Sequence, residues 1–342
     1  MIDVKNLKGG EIISTPILSD NGSILIPEGT ELKKEYIDLL LALNIQKIDI
    51  KENSNYLKEN ILISPEKRAY FVDRIQKVLE QHVYTQKNSL KEIQTIADEI
   101  INYVNSEISS GHIYEYPLRK SNLYEHSFMV CLVSLIIAKK MNLSEVEMKK
   151  IAEAALLHDI GIRYITVPFE NKNVEQMNAS DAFEFKKHTV LGYSALEHEE
   201  WITRDVKDIL LMHHEKIDGS GFPMKRRDLS LNCKIIQICD VFNSMLSGTE
   251  AKSRPMEDAF QEFERMKGIK YDEICLDYLF QCISRYPIGA KVITNRMESG
   301  IVIEQTDNSE RPIIMSTEKK SIEPHIIDTS KESGVWITGL VH

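Results

Sequence analysis

Of the ten histidines in this 342-residue chain, His126, His158, His188, His213 and His214 fall in one helical stretch, together with Asp159 and Asp240. A lone helical histidine is usually a surface or core residue, so the signal lies in several coinciding. Imidazoles and carboxylates on separate helices can converge in a bundle core, as donors do in carboxylate-bridged di-metal proteins. Asp159 could bridge two ions with its two oxygens. Two metals about 3.5–4 Å apart clamp a water as hydroxide and hold a phosphoryl oxygen, which is how metal pairs assist in-line displacement at phosphorus. Neighbouring helical residues point about 100° apart, so His213 and His214 serve one ion only if their helix ends there. Gly219 and Gly221, in "DGSGFP" from 218, predict that end.

Helices must position these groups. From about 111 to 285 the pattern is helical throughout. Ser144 with Glu147 forms a capping box whose helix runs to His158-Asp159 before Gly161. Ser180 and Thr203 are expected to cap the helices leading to His188 and to His213-His214. Ser64-Pro65-Glu66 opens an earlier helical, charged segment, where Leu90, Ile93, Ile96, Ile100 and Ile101 form an apolar stripe: a packing face, or a surface for a homodimer. The first residues read as a small α/β module, with strands around an Asp20-Asn21-Gly22 turn, a helix over "LKKEYIDLLLALNI" and a closing strand at "KIDI". Beyond Pro287, apolar and polar residues alternate between turn residues, as in a small β module.

The expected organisation is therefore mainly α. A regulatory or docking α/β module spans 1–60, a helical linker or dimerisation segment 61–110, the all-α bundle 111–286 and a β module 287–342.

A net charge of -10 argues against sequence-independent DNA or RNA binding, which needs a basic surface to displace counterions. An anionic substrate would need its positive charge supplied locally, and bound metal could supply it. The longest apolar run, Phe128 to Ala138, is well short of the ~20 residues of a membrane span. The N-terminus lacks the pattern of a signal peptide, and a cytoplasmic protein is expected. Five cysteines without a C-x-x-C pair read as reduced core thiols.

The motifs resemble a known family. "LLHDIG" at 156–161 gives the His-Asp doublet of HD-domain phosphohydrolases, and "HHEKIDGSGFP" from 213 closely matches the HHExxDGxGYP signature of the HD-GYP subgroup. "YEHS" around His126, "KKHTVLGYSAL" around His188 and "KIIQICDVFNSML" around Asp240 support the match. The resemblance covers about 111 to 285 and implies an HD-type helical bundle with cyclic di-GMP phosphodiesterase activity. The products would be linear pGpG and, with further cleavage, GMP, formed by a hydroxide bridging two metals. Carried over, His126, His158, Asp159 and Asp240 would hold one ion, and Asp159, His188, His213 and His214 the other. Imidazole and carboxylate without thiolate suit Fe or Mn, with Zn or Ni as other options. Expected partners are the cyclic dinucleotide and, among proteins, a diguanylate cyclase or another signalling protein.

Several positions depart from the family pattern. Ile162 stands where lysine usually follows His-Asp-x-Gly, and Arg163 is the candidate to replace that cation beside the catalytic His158 and Asp159. Phe222 replaces the signature tyrosine, and Glu125 stands where arginine often precedes the first histidine. Asn122 occupies the position where members with a third metal carry glutamate, so two metals are expected. "SRPMED" keeps Arg254 but has Met256 and Glu257 where an aromatic and a basic residue are common. Asp218, Gly219, Gly221, Phe222 and Arg254 are the candidate substrate contacts. Asp218 fits a cap of its own turn better than a substrate contact, Arg254 fits a surface salt bridge equally well, and Glu215 is a candidate outer partner that orients a ligand histidine. The alternatives to the enzyme are a metal-bound cyclic di-GMP receptor with little or no turnover, and an HD phosphohydrolase for another nucleotide.

Overall fold

A computed structural model describes residues 2–4, 7, 12–18, 24–27, 30, 32, 34–43, 45–51, 61–83, 86–109, 111–116, 121–317 and 325–341. The chain divides into two compact units, Met1–Glu59 and Asn60–His342.

In the first unit, β1 (Ile2–Asp3), β2 (Ile12–Ile13), β3 (Ile17–Leu18) and β4 (Ile24–Ile26) precede α1 (Lys34–Ala42), β5 (Lys47–Ile48) and β6 (Ile50–Lys51). The strands pair antiparallel as β1 with β5, β2 with β6 and β3 with β4. Val4, Ile13, Ile17, Ile26, Leu32, Ile37, Leu40 and Ile48 close a small core between them. The expected Asp20-Asn21-Gly22 turn lies outside the described residues.

Among the described residues the second unit begins with nine α-helices, seven of which start at a short polar capping residue. Ser64 caps α2 (Pro65–Glu80), Asn122 caps α4 (Leu123–Lys140), Ser144 caps α5 (Glu145–Leu157), and Thr203 caps α7 (Arg204–Met212), each accepting a backbone N–H three residues on. Ser230 does the same for α8 (Leu231–Ser247) and Asp272 for α10 (Glu273–Phe280). Asn178, not Ser180, caps α6 (Ala179–Ala195). Asn178 accepts from the Asp181 N–H, so the helix begins two residues earlier and Ser180 lies inside its first turn. α3 (Glu92–Glu107) and α9 (Met256–Met266) complete the set.

α4 is the central element. Every residue from Glu125 to Ala138 is buried, and the helix packs on α5, α8, α2 and α3. The run read as too short for a membrane is therefore core, and no helix among the described residues is long and apolar enough to cross a membrane. At its end the Lys139 ammonium donates to the carbonyls of Val104 and Ile108, meeting the unsatisfied C-terminus of α3 with a cation. The stripe Leu90, Ile93, Ile96, Ile100 and Ile101 is buried in the same core as the α4–α8 helices. It packs inward on α4 and α5, which removes it as a surface for dimerisation. All five cysteines are buried and unpaired.

After α10, five antiparallel strands, β7 (Lys291–Thr294), β8 (Ser299–Glu304), β9 (Ile313–Ser316), β10 (Ile326–Asp328) and β11 (Ile337–Leu340), form a sheet in the order β10-β9-β8-β7-β11. Val292, Val302, Ile314, Ile327 and Val335 form its core. Arg285 ties this sheet to the helices, pairing with Glu257 at 2.8 Å, Glu264 at 2.6 Å and Glu310 at 2.8 Å.

Candidate metal centre

Five helices deliver one donor group each, or two. His126 lies in the first turn of α4, His188 in α6 and Asp240 in α8, while His158-Asp159 and His213-His214 follow the last residues of α5 and α7. Because α7 stops at Met212, the successive imidazoles need not point 100° apart as in a continuing helix. All seven residues are buried.

Backbone carbonyls fix three of the rings. His158, His188 and His213 each donate Nδ1–H to the carbonyl three residues earlier, Ala155 at 2.7 Å, Phe185 at 2.7 Å and Leu210 at 2.6 Å. His126 Nδ1 is 2.6 Å from Asn243 Oδ1, and the Asn243 amide in turn donates to the Tyr116 hydroxyl. Such outer partners select the tautomer and leave Nε2 as the inward donor.

The inward atoms form two groups that share one carboxylate. His126 Nε2 is 3.2 Å from His158 Nε2, 3.4 Å from Asp159 Oδ2 and 3.2 Å from Asp240 Oδ1. On the other side, Asp159 Oδ1 is 3.7 Å from both His188 Nε2 and His213 Nε2, which are 3.5 Å apart. His214 Nδ1 lies 3.6 Å from Asp240 Oδ2. Donors bound at about 2.0–2.2 Å to one ion stand about 3.0–3.4 Å from one another, so both groups have nearly the spacing of a ligand shell. Both Asp159 oxygens, Asp240 Oδ2 and His214 Nε2 are buried without a hydrogen-bond partner. Buried polar atoms are rarely left so, and cations between them would satisfy the set.

Electrostatics point the same way. Burial disfavours the charged form of His158, yet the Asp159 and Asp240 carboxylates push it up to about 9. Burial likewise opposes ionisation of Asp159, but His158, His213 and His126 hold it well below the usual carboxylate range. Burial pushes His188 down to about 4 and His214 well below its ordinary value. At pH 7 His158 is therefore held protonated, and a metal at its Nε2 would have to displace that proton. Metal binding should release at least one proton per chain, with affinity rising as pH approaches about 9 and flattening above it. Mn(II) titration calorimetry in two buffers of different ionisation enthalpy reads this release; identical heats in both buffers would contradict it.

The other candidate residues divide. Gly221, Phe222 and Arg254 line a cavity of about 530 Å³ beside His214 and Asp240. Phe222 also stacks on His214, with ring centroids 4.6 Å apart. Asp218 and Gly219 do not line this cavity: the Asp218 carboxylate accepts from Ser220 N–H at 2.9 Å and from its hydroxyl at 2.7 Å, capping its own turn. Gly219 has φ +77, a left-handed turn residue. At Gly221 a Cβ would lie 2.4 Å from Glu215 Cα, so glycine there lets the loop fold back on its own helix end.

Arg163 is not at the centre. It is exposed and donates to the Glu80 carbonyl at 3.2 Å, because the 3-10 helix Ile160–Tyr164 turns it outward while Ile162 is buried. Glu215 accepts from the backbone N–H groups of Met224 at 2.6 Å and Arg226 at 3.0 Å, clamping the loop and orienting no histidine. Asn122 caps α4, Glu125 lies 3.6 Å from Arg68, and Glu257 is taken by Arg285. Arg254 makes no ion pair among the described residues.

Sequence reasoning missed Asn243, Glu250 and the cavity lysines Lys186, Lys216 and Lys270. Asn243 had a signal, a polar residue three positions after Asp240 and so on the same helix face. The others had none.

Helices converging on a buried His/Asp cluster define a helical domain with donors for divalent metal. Residues 116–274 match the HD domain family model. A cyclic di-GMP phosphodiesterase of Thermotoga maritima is 34% identical over 158 residues, 45% of this chain and 42% of that one. One from Pseudomonas aeruginosa is 26% identical over 193 residues, 54% of this chain and 45% of the other. The chain thus spans less than half the length of these relatives. A solved HDG"Y"P protein from Bdellovibrio bacteriovorus shares the fold with a TM-score of 0.50 at 16% identity, over 81% of this chain and 97% of that one.

Proposed function

We propose that this chain hydrolyses a phosphodiester bond of a cyclic dinucleotide, cyclic di-GMP, at a two-ion centre. His126, His158, Asp159 and Asp240 would hold one ion, and Asp159, His188, His213 and His214 the other. The observation that carries the reading is the divided Asp159 carboxylate, with Oδ2 toward His126 and His158 and Oδ1 toward His188 and His213. Iron or manganese suits this thiolate-free donor set. The ions, when bound, would polarise a phosphoryl oxygen and activate a water.

The chain's own residues have the remaining tasks. Ala155, Phe185 and Leu210 carbonyls fix the ligand tautomers, and Phe222 buttresses His214. Lys186, Lys216, Lys270 and Arg254 line the cavity beside Glu175, Asp240, Glu250 and Glu262 and make no ion pair among the described residues, which leaves four cations facing the cavity on an acidic chain. Lys216 is the cation proposed to meet a substrate phosphate in place of the lysine that Ile162 displaces. The first opening of the ring gives linear pGpG, and GMP needs a second cleavage. The unit at 1–59 is proposed as regulatory.

A receptor with negligible turnover is the second reading, favoured by the buried Ile162 and the outward Arg163. A substrate panel on the full, Mn(II)-loaded chain separates the two. Cyclic di-GMP should give the highest kcat/KM; binding without product favours the receptor, and preference for a nucleoside phosphate replaces the substrate. A charge-assisted hydrogen bond is worth about 1.5–3 kcal/mol, so Lys216→Ala should raise KM about 10-fold or more with kcat little changed. Arg163→Ala should change neither. Burial pushes Lys216 down to about 8, so wild-type KM should also climb above that pH as the cation is lost.

A further inference from the structure

We infer that Glu250 is a metal ligand in this protein, a third carboxylate on the His214 side of the centre; this rests on the two-ion reading above. Glu250 lies in the connection between α8 and α9, where Gly248, with φ +80, turns the chain back toward the cluster. That connection is held on several sides. The Thr249 hydroxyl is 2.8 Å from Ser247 Oγ and 3.1 Å from Ser121 Oγ, and Asn171 and Asn173 side chains accept from Ser253 and Lys252 N–H. Glu250 is thereby fixed inward, with 7% of its surface exposed.

Its surroundings are those of a ligand and not of an ordinary buried acid. Glu250 Oε2 is 3.4 Å from His214 Nε2, yet Nε2 has no hydrogen-bond partner, and neither has Glu250 Oε1. Two unpartnered donors at that separation share the spacing of neighbours around one ion. Donor atoms of His214, Asp240 and Glu250 all lie within 4.8 Å of one another. No lysine or arginine among the described residues pairs with Glu250, and it faces Asp159 and Asp240, both carboxylates. Three buried carboxylates side by side are relieved by a cation or a proton among them. With Glu250 the centre gains a further hard oxygen donor, which favours Mn(II) or Fe(II) over softer metals.

The connection carries no motif, which is why only the folded chain reveals the residue. The test uses the full chain, stripped of metal and titrated with Mn(II), as wild type, Glu250→Gln and Asp159→Ala. Glu250→Gln keeps the shape and a hydrogen-bond acceptor but removes the anionic donor. It should weaken one of the two sites at least 10-fold, leave the melting temperature of the metal-free chain unchanged, and alter the visible absorption of the Co(II)-loaded protein. Unchanged Mn(II) affinity and Co(II) spectrum in Glu250→Gln, with both sites lost in Asp159→Ala, would overturn the assignment and leave Glu250 only positioning His214. Retention of both sites in Asp159→Ala as well would overturn the two-ion reading itself. Glu250→Asp, with the charge kept on a shorter arm, should recover part of the lost affinity.

Discussion

Asp159→Ala should abolish measurable turnover, with a loss of about 10³-fold or more, and empty both metal positions together. The expectation follows from the two faces of one carboxylate. Oδ2 stands 3.4 Å from His126 Nε2 and 3.2 Å from His158 Nε2, while Oδ1 stands 3.7 Å from His188 Nε2 and His213 Nε2. Removing it takes an anionic donor from each group at once, where removing His188 would weaken only one. A metal pair held by these residues would stabilise charge on the phosphoryl group, so its loss would cost far more than a typical positioning contact. Leu156, Leu157 and Ile160 around it are buried in the helical core and keep their packing, so helix content should persist. Metal analysis and circular dichroism on one sample check both halves. A variant that keeps one ion at full occupancy would show that the carboxylate does not bridge.

Gly161→Ala should be the most destabilising single substitution near the centre. A Cβ at this position would lie 1.9 Å from the His188 carbonyl oxygen and 2.6 Å from the Gly192 N, both backbone atoms of α6. No side-chain rotation relieves that overlap, so α6 must move and His188 moves with it. Overpacking a tight contact costs about 1–3 kcal/mol and sometimes more, and this contact belongs at the upper end. A shift of about 2–4 °C per kcal/mol for a domain of this size predicts a melting temperature lower by about 6 °C or more. Metal affinity should fall too, because His188 is displaced from its partner His213, now 3.5 Å away. Thermal melting and Mn(II) titration of the variant test this, and a melting point within 1 °C of the wild type would contradict it.

The sequence was legible where chemistry is contiguous. His158-Asp159 before Gly161 and His213-His214 before the glycine turn each mark a helix end, and a helix end is what lets adjacent residues converge. Caps at Ser64, Ser144 and Thr203 could be read because capping is local, a side chain bonding a backbone three residues away. Ser180 and Asn178 compete within the same turn, and the sequence does not decide between two short polar residues. Direction in space was less accessible. Arg163 follows the doublet closely, but the 3-10 geometry after Asp159 sends it to Glu80. Glu215 sits beside two imidazoles in sequence and serves a loop instead. Lys216 and Glu250 reach the site through loop folding alone, which no periodicity encodes.

The most direct test of the central claim is anaerobic turnover of cyclic di-GMP by the full chain loaded separately with Fe(II) and Mn(II), with products resolved by chromatography and metal counted on the same sample. The account predicts linear pGpG forming with two ions bound per chain. Two ions bound with cyclic di-GMP left intact would contradict it and turn the centre into a receptor or the site of another substrate.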